Sequence, residues 1–196
     1  MPTIEFYDTN SQDFFDSTVN ADVSELYQPF VTQLPAKARV LDAGCGSGRD
    51  SKAFINMGYK VTAIDASVEL AKAATTYLGQ KVHVCTFEHI DTLEQQFDGI
   101  WACASLLHVD ASNLPNTFTK LADTLVDNGV LYCSFKYGDQ ERNHNGRFFT
   151  DANELRLQQW LSQTPLDIER TWITTDVRPG RDHEQWLNAI LINTTK

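Results

Sequence analysis

Residues 40–50 read VLDAGCGSGRD, an apolar run that ends in an acid and passes directly into a turn with glycines at 44, 46 and 48. A strand that stops at Asp42 and turns through Gly44, Gly46 and Gly48 leaves bare backbone facing a ligand, because no Cβ blocks the approach. The pattern that follows is helical over residues 49–57, with Ser47 as its expected N-cap. Free N–H groups at such a helix start favour an anionic group nearby. A second apolar run, residues 60–64, ends in Asp65, which stands 23 positions after Asp42. In a βαβ unit that spacing sets a carboxylate at the tip of the second strand, in reach of both hydroxyls of a ribose. Glycine turn and distant acid therefore predict a nucleoside cofactor site, with Arg49 and Ala66 beside these residues as further candidates.

The glycines run G-x-G-x-G, and Arg49 stands where the last glycine of the dinucleotide pattern G-x-G-x-x-G would fall, which disfavours a nicotinamide-dependent oxidoreductase. The stretch LDAGCGSGR with AIDAS behind it, followed by FDGIWACASLLHV (residues 97–109) and LADTLVDNGVLYCSFK (residues 121–136), resembles the motifs of the class I S-adenosylmethionine-dependent methyltransferases. The resemblance covers residues 38–136. It implies an α/β, Rossmann-like three-layer α/β/α sandwich around a seven-stranded, mostly parallel sheet of order 3-2-1-4-5-7-6, strand 7 antiparallel. S-adenosyl-L-methionine is the implied cofactor.

The family pattern places a polar residue against the adenine at the tip of strand three, which selects Phe87 and Glu88; Glu88 is otherwise simply solvated. It sets the tip of strand four beside the glycine turn, which makes Ala104, Ser105 and His108 candidates for the reaction side of the pocket. His108 is the candidate catalytic base, with a purely structural histidine as the alternative. An N-terminal segment often folds over the cofactor in such proteins, so Tyr7, Phe14 and Phe15 are either lid residues or plain packing. The stretches GCGSGRDS and SFKYG further resemble small bacterial methyltransferases, including those linked to tellurite resistance.

The rest of the chain agrees with one domain over residues 1–196: a helical lid (1–38), a cofactor-binding core (39–136), and a substrate loop, helix and closing hairpin (137–196). Residues 13–19 and 23–31 read as two helices before Pro35. Ser67 caps a helix over residues 68–78 that Gly79 ends. Residues 137–150, polar and glycine-containing, read as an irregular substrate loop or as a charged hairpin. Asp151 is the expected cap of a helix over 152–162, and residues 166–175 and 186–194 alternate as strands.

A formal net charge of −10 and a pI near 4.8 disfavour nucleic acid as a partner and favour a small substrate. Residues 136–181 are locally balanced, seven basic against seven acidic. Lys136, Arg142, Arg147 and Arg181 are thus candidates for a basic pocket that takes a small acceptor and suits an anion or a carboxylate. The four cysteines are 40, 18 and 30 apart without a C-x-x-C, so they read as buried hydrophobes, with no metal expected. No apolar run long enough for a membrane span and no signal pattern at the N-terminus is found, so a cytoplasmic protein without a membrane partner is expected. Oligomeric state is not encoded in these patterns. A cofactor-binding sensor or subunit without catalysis keeps the same glycine turn and remains the second reading.

Overall fold

The computed structural model describes residues 2–178 and 180–194. Among the described residues, seven strands form one sheet: β1 (Arg39–Ala43), β2 (Lys60–Asp65), β3 (Val82–Val84), β4 (Phe97–Ala102), β5 (Leu125–Lys136), β8 (Leu166–Thr175) and β9 (Gln185–Asn193). Their order is β3-β2-β1-β4-β5-β9-β8, and β9 runs antiparallel to both β5 and β8. This is the expected order, with β8 and β9 in the places of the sixth and seventh strands. Two further strands, β6 (Glu141–His144) and β7 (Arg147–Thr150), make a separate hairpin.

Apolar residues on both faces of the central strands require helices on both sides. The alternation of side chains along β1, β4 and β5 divides them accordingly. Leu41, Ile100 and Leu131 face a core built with Phe118 and Leu121 of α6 (Leu114–Asp123) and Leu157 and Trp160 of α7 (Glu154–Leu161). Their sequence neighbours Val40, Trp101 and Val130 face Tyr27 and Phe30 of α3 (Ser24–Val31) and Phe54 of α4 (Arg49–Asn56). Each of these large side chains contributes about 1.5–3 kcal/mol by leaving water. α3 and the turn after it sit so close that a Cβ on Gly99 would lie 2.7 Å from Leu34 and 2.8 Å from Phe30.

Several local expectations are corrected. The N-terminal segment holds three helices, α1 (Pro2–Thr9), α2 (Ser11–Thr18) and α3, where the sequence pattern marked two. α1 carries no buried residue to give it an amphipathic signature. Gly48, in the left-handed region at φ 80°, is the N-cap of α4 in place of Ser47. The reason is geometric, because the turn must reverse at position 48 and only glycine does so without strain. α5 (Val68–Leu78) starts as read, with Ser67 Oγ accepting from the Leu70 N–H, and ends at Gly79 with φ 70°. α7 is capped by Asn153, which accepts from the Arg156 N–H, rather than by Asp151. Ala152 donates its N–H to Lys136, so the chain is still extended there and the helix starts later. The stretch 137–150, read as an irregular loop or as a charged hairpin, contains the hairpin β6–β7.

Candidate active site

A cleft of about 1080 Å³ opens above the carboxyl ends of β1, β4 and β5, where the strand order reverses from β1 to β4. Ligands in open α/β sheets bind at such a reversal. Its floor is the glycine turn, Gly44 to Ser47, together with Arg49, Cys103 and Ala104. Gly44 and Gly46 adopt φ of 85° and 54°. The turn is held by two amides, since the N–H groups of Gly44 and Cys45 both donate to the Ile64 carbonyl. A Cβ on Gly46 would meet the Phe14 ring at 3.0 Å, so Phe14 lies directly over the turn.

The two motif acids have separate surroundings. Asp42 is buried beneath the turn and accepts from Ser51 Oγ at 2.6 Å. Burial, reinforced by the charge of Asp50, pushes its carboxyl up to about 8. Asp65 accepts from the N–H groups of Gly46 (2.8 Å) and Ser67 (2.9 Å), and burial outweighs these bonds to raise it to about 6. Each oxygen of Asp65 keeps further acceptor capacity, of the kind two ribose hydroxyls use. The cleft lining excludes Asp42, Gly48, Asp65, Ala66, Phe87, Glu88 and Ser105. Phe87 packs against the core under β4, and Glu88 is exposed. Ser105 donates to the Ala43 carbonyl at 2.7 Å and braces β1 against the β4 tip.

Asp50 was not singled out by sequence. It accepts from Tyr27 Oη (2.7 Å), Trp101 Nε1 (2.8 Å) and the Arg49 guanidinium (2.7 and 3.0 Å). Burial alone would raise its carboxyl, but Arg49 and these donors bring it below the ordinary value. Arg49 is thereby fixed at the cleft floor, its charge upheld against burial by Asp50. The sequence signal was weak, because an acid in the first turn of a helix ordinarily reads as solvated.

The N-terminal helices form the cleft's second wall. Tyr7 and Phe14 line it, Phe15 instead stacks edge-on against Tyr77 of α5, and Asp8 accepts from Ser67 Oγ at 2.6 Å. His108 lies opposite Tyr7, with its Nε2 2.9 Å from the Tyr7 hydroxyl. The third wall comes from the end of β5, the β6–β7 hairpin and the β8–β9 connection, and Lys136, Arg142, Arg147 and Arg181 all line this cleft. Their partners differ, however. Arg142 pairs with Asp151, and Lys136 and Arg181 pair with Glu184. Arg178, also at the cleft, pairs with Asp176, whose carboxyl is brought down to about 2 by Arg178 despite burial. Arg147 makes no ion pair among the described residues. Its guanidinium rests over the rings of Phe6 (4.7 Å), Phe149 (5.2 Å) and Tyr7 (5.9 Å), and its buried Nε has no hydrogen-bond partner.

A parallel sheet with one inverted strand, a glycine turn at the tip of β1 and an acid at the tip of β2 defines a Rossmann-like protein built for a nucleoside cofactor. A model of the methyltransferase domain family matches residues 40–129. Over 184 residues the chain is 55% identical to the ubiquinone biosynthesis O-methyltransferase of Xanthomonas axonopodis pv. citri (strain 306), covering 82% of this chain and 72% of that protein. It is 35% identical over 104 residues to the malonyl-[acyl-carrier protein] O-methyltransferase of Enterobacter lignolyticus (strain SCF1), covering 52% of this chain and only 41% of that relative's length. The solved structure of 1,6-didemethyltoxoflavin-N1-methyltransferase from Burkholderia thailandensis is similar in fold, with a TM-score of 0.76 at 21% identity over 98% of this chain and 87% of that one. The chain belongs to the class I S-adenosylmethionine-dependent methyltransferases, and S-adenosylmethionine is its cofactor. The donor set fits a nucleoside: Gly44 and Gly46 hold positive φ with no side chain on the turn, and Asp65 at the β2 tip keeps acceptor capacity although it stands behind the cleft lining. Among the described residues no helix is long and apolar enough to cross a membrane, and no group of His, Cys, Asp and Glu is disposed to hold a metal ion.

Proposed function

We propose that this protein transfers a methyl group to a small-molecule acceptor that carries a negative charge, with Arg147 as the counter-charge. The observation that carries the reading is the pairing pattern just described. Arg49, Lys136, Arg142, Arg178 and Arg181 each face a carboxylate, while Arg147 faces the cleft with aromatic rings around it and no carboxylate. A guanidinium desolvated in this way is a strong site for a carboxylate or phenolate, because charge-assisted bonds strengthen away from water.

When bound, S-adenosylmethionine supplies an activated sulfonium methyl group, so the chain's own task is positioning and exclusion of water. On this reading Asp65 and the turn Gly44 to Gly48 hold the nucleoside, with Asp42 and Ser105 bracing the turn from beneath. Residues 1–38 act as a lid, Tyr7 and Phe14 covering the turn. The hairpin of residues 141–150 seats the acceptor, and Lys136, Arg142 and Arg181 shape its entrance as neutralised pairs. The relationship to O-methyltransferases supports oxygen as the receiving atom.

The test compares methylation of catechol and of 3,4-dihydroxybenzoate. The expected result is a kcat/KM about tenfold or more higher for the carboxylated compound, the equivalent of one charge-assisted hydrogen bond. That advantage should disappear in Arg147→Ala, with S-adenosylmethionine affinity little changed. Equal rates on both acceptors, indifferent to Arg147→Ala, count against an anionic acceptor.

A further inference from the structure

His108 ends the short 3-10 turn Leu106–His108 after β4, and both of its ring nitrogens are engaged. Nδ1 lies 2.7 Å from the carbonyl oxygen of Phe148 on β7. A carbonyl oxygen only accepts, so Nδ1 carries the proton and the neutral ring has a bare lone pair on Nε2. The Tyr7 hydroxyl, 2.9 Å away, therefore donates to Nε2. Its single proton is committed in this direction and Arg147 hydrogen-bonds to its oxygen, so what Tyr7 offers the cleft that it lines is its remaining oxygen lone pair.

We infer that Tyr7 and His108 form a proton relay, in which the Tyr7 oxygen takes the proton of an acceptor hydroxyl while its own proton passes to Nε2 of His108. The inference rests on the methyltransferase reading above and deepens it. It makes the acceptor a hydroxyl compound rather than a thiolate or another nucleophile that has no proton to lose.

The step balances. The acceptor O–H bond breaks and its proton joins the Tyr7 oxygen, while the Tyr7 O–H bond breaks and that proton joins Nε2. The freed lone pair of the acceptor oxygen forms the O–C bond to the methyl carbon, and the electron pair of the breaking C–S bond returns to sulfur. The positive charge that starts on the sulfonium ends on the His108 imidazolium, whose Nδ1–H still donates to Phe148.

The surroundings suit this route. Phe148 fixes both members, since its carbonyl holds His108 and its N–H donates to Thr3 Oγ1 on α1 at 3.0 Å, the helix that carries Tyr7. The relay is complete only with α1 docked, so proton removal is confined to the closed, water-excluding state. Burial, reinforced by Arg147 and only partly offset by the Phe148 bond, brings His108 down to about 4, which keeps Nε2 unprotonated at neutral pH but also disfavours the imidazolium that the relay forms. Burial raises the Tyr7 hydroxyl, and Arg147 opposes that rise and stabilises charge on its oxygen in passing. An acceptor anion seated on Arg147 offsets the guanidinium's field as the proton reaches His108.

The experiment uses Tyr7→Phe, which keeps the ring contacts to Phe6, Phe14 and His108, and His108→Gln, which keeps an acceptor for the Tyr7 hydroxyl but no basic nitrogen. In the free protein, nitrogen NMR of His108 should give a protonated Nδ1 and a hydrogen-bonded lone pair on Nε2, which moves to the free lone-pair position in Tyr7→Phe. In turnover, Tyr7→Phe should lower kcat on catechol by roughly 100-fold or more, the usual size of a general-base contribution, with KM for S-adenosylmethionine little changed. The loss should be far smaller on 4-nitrocatechol assayed where it is already ionised, because its proton is gone. His108→Gln should match Tyr7→Phe, and the double variant should be no worse than either. An unmoved Nε2 resonance overturns the relay, as do equal losses on the two catechols. Normal S-adenosylmethionine binding with no methylation of either catechol overturns the relay alone, whereas failure of the cofactor to bind removes the underlying reading and the relay with it.

Discussion

Trp101, fully buried on β4, donates its indole N–H to Asp50 of α4 at 2.8 Å. This bond ties the central strand to the helix that leaves the glycine turn, and it holds the carboxylate on which Arg49 rests. An unpaired charge in such a place is costly, so the cluster acts as a unit.

Asp50→Ala leaves Tyr27, Trp101 and the Arg49 guanidinium without their shared acceptor. It should lower the unfolding free energy by about 3–5 kcal/mol, the usual result of removing one member of a buried ion pair. Trp101→Phe removes one charged-group hydrogen bond and should cost about 1.5–3 kcal/mol. Urea unfolding followed by circular dichroism measures both, and a loss under 1 kcal/mol for Asp50→Ala would mean the network is solvated.

The pH dependence of stability should carry the mark of Asp42. Its folded carboxyl is raised to about 8, against about 3.9 for an unfolded aspartate. The folded state therefore binds the proton more tightly, and the associated stability is fully present below about pH 3.9 and lost as the pH rises through 8. Asp42→Asn retains an acceptor for Ser51 and has no proton to lose. Its stability relative to the wild type should thus increase from pH 4 to pH 8, as read from paired urea titrations. A constant difference across that range would place an ordinary pKa at Asp42.

The glycine turn separates folding from binding. Gly44→Ala places a Cβ 2.5 Å from Ser105 Cβ at φ 85°, so stability itself should fall, by about 1–3 kcal/mol. Gly46→Ala meets only the edge of the Phe14 ring, at 3.0 Å. This chain should fold with a modest loss while cofactor affinity drops, because the new Cβ occupies the concave face of the turn. Calorimetric titration with S-adenosylhomocysteine checks the pair, and unchanged affinity in a folded Gly46→Ala would place the cofactor elsewhere.

Asp65→Ala should weaken cofactor binding by roughly 1.5–3 kcal/mol, the range for charge-assisted hydrogen bonds. The same substitution frees the N–H groups of Gly46 and Ser67, so amide exchange in the turn should accelerate in the free protein. Normal affinity in a folded variant would remove Asp65 from the site.

The central strands and the glycine turn were legible in the sequence because they rest on local rules. Buried strands read as apolar runs, a turn at positive φ demands glycine, and α5 displays its cap and its stop as Ser67 and Gly79. The family motifs carried the sheet order and the cofactor. The elements that escaped lack such signatures. α1 buries no side chain, β6 is mostly exposed, and α7 starts late because Ala152 is held extended by Lys136, a partner 16 positions away.

Charge was the property the sequence left most open. From residues alone Lys136, Arg142, Arg147 and Arg181 are equivalent cations in a balanced segment, and Asp50 is one acid among many. Which cation keeps an uncompensated charge depends on carboxylates that arrive from other elements, Asp151 after β7 and Glu184 before β9. Likewise Tyr7 and His108 are 101 residues apart, and only the docking of α1 against β7 brings a hydroxyl to a lone pair. Local backbone preferences are short-ranged and can be read in order along the chain. Ion pairing, desolvation and proton position depend on neighbours that folding alone supplies, so the tertiary structure decided them.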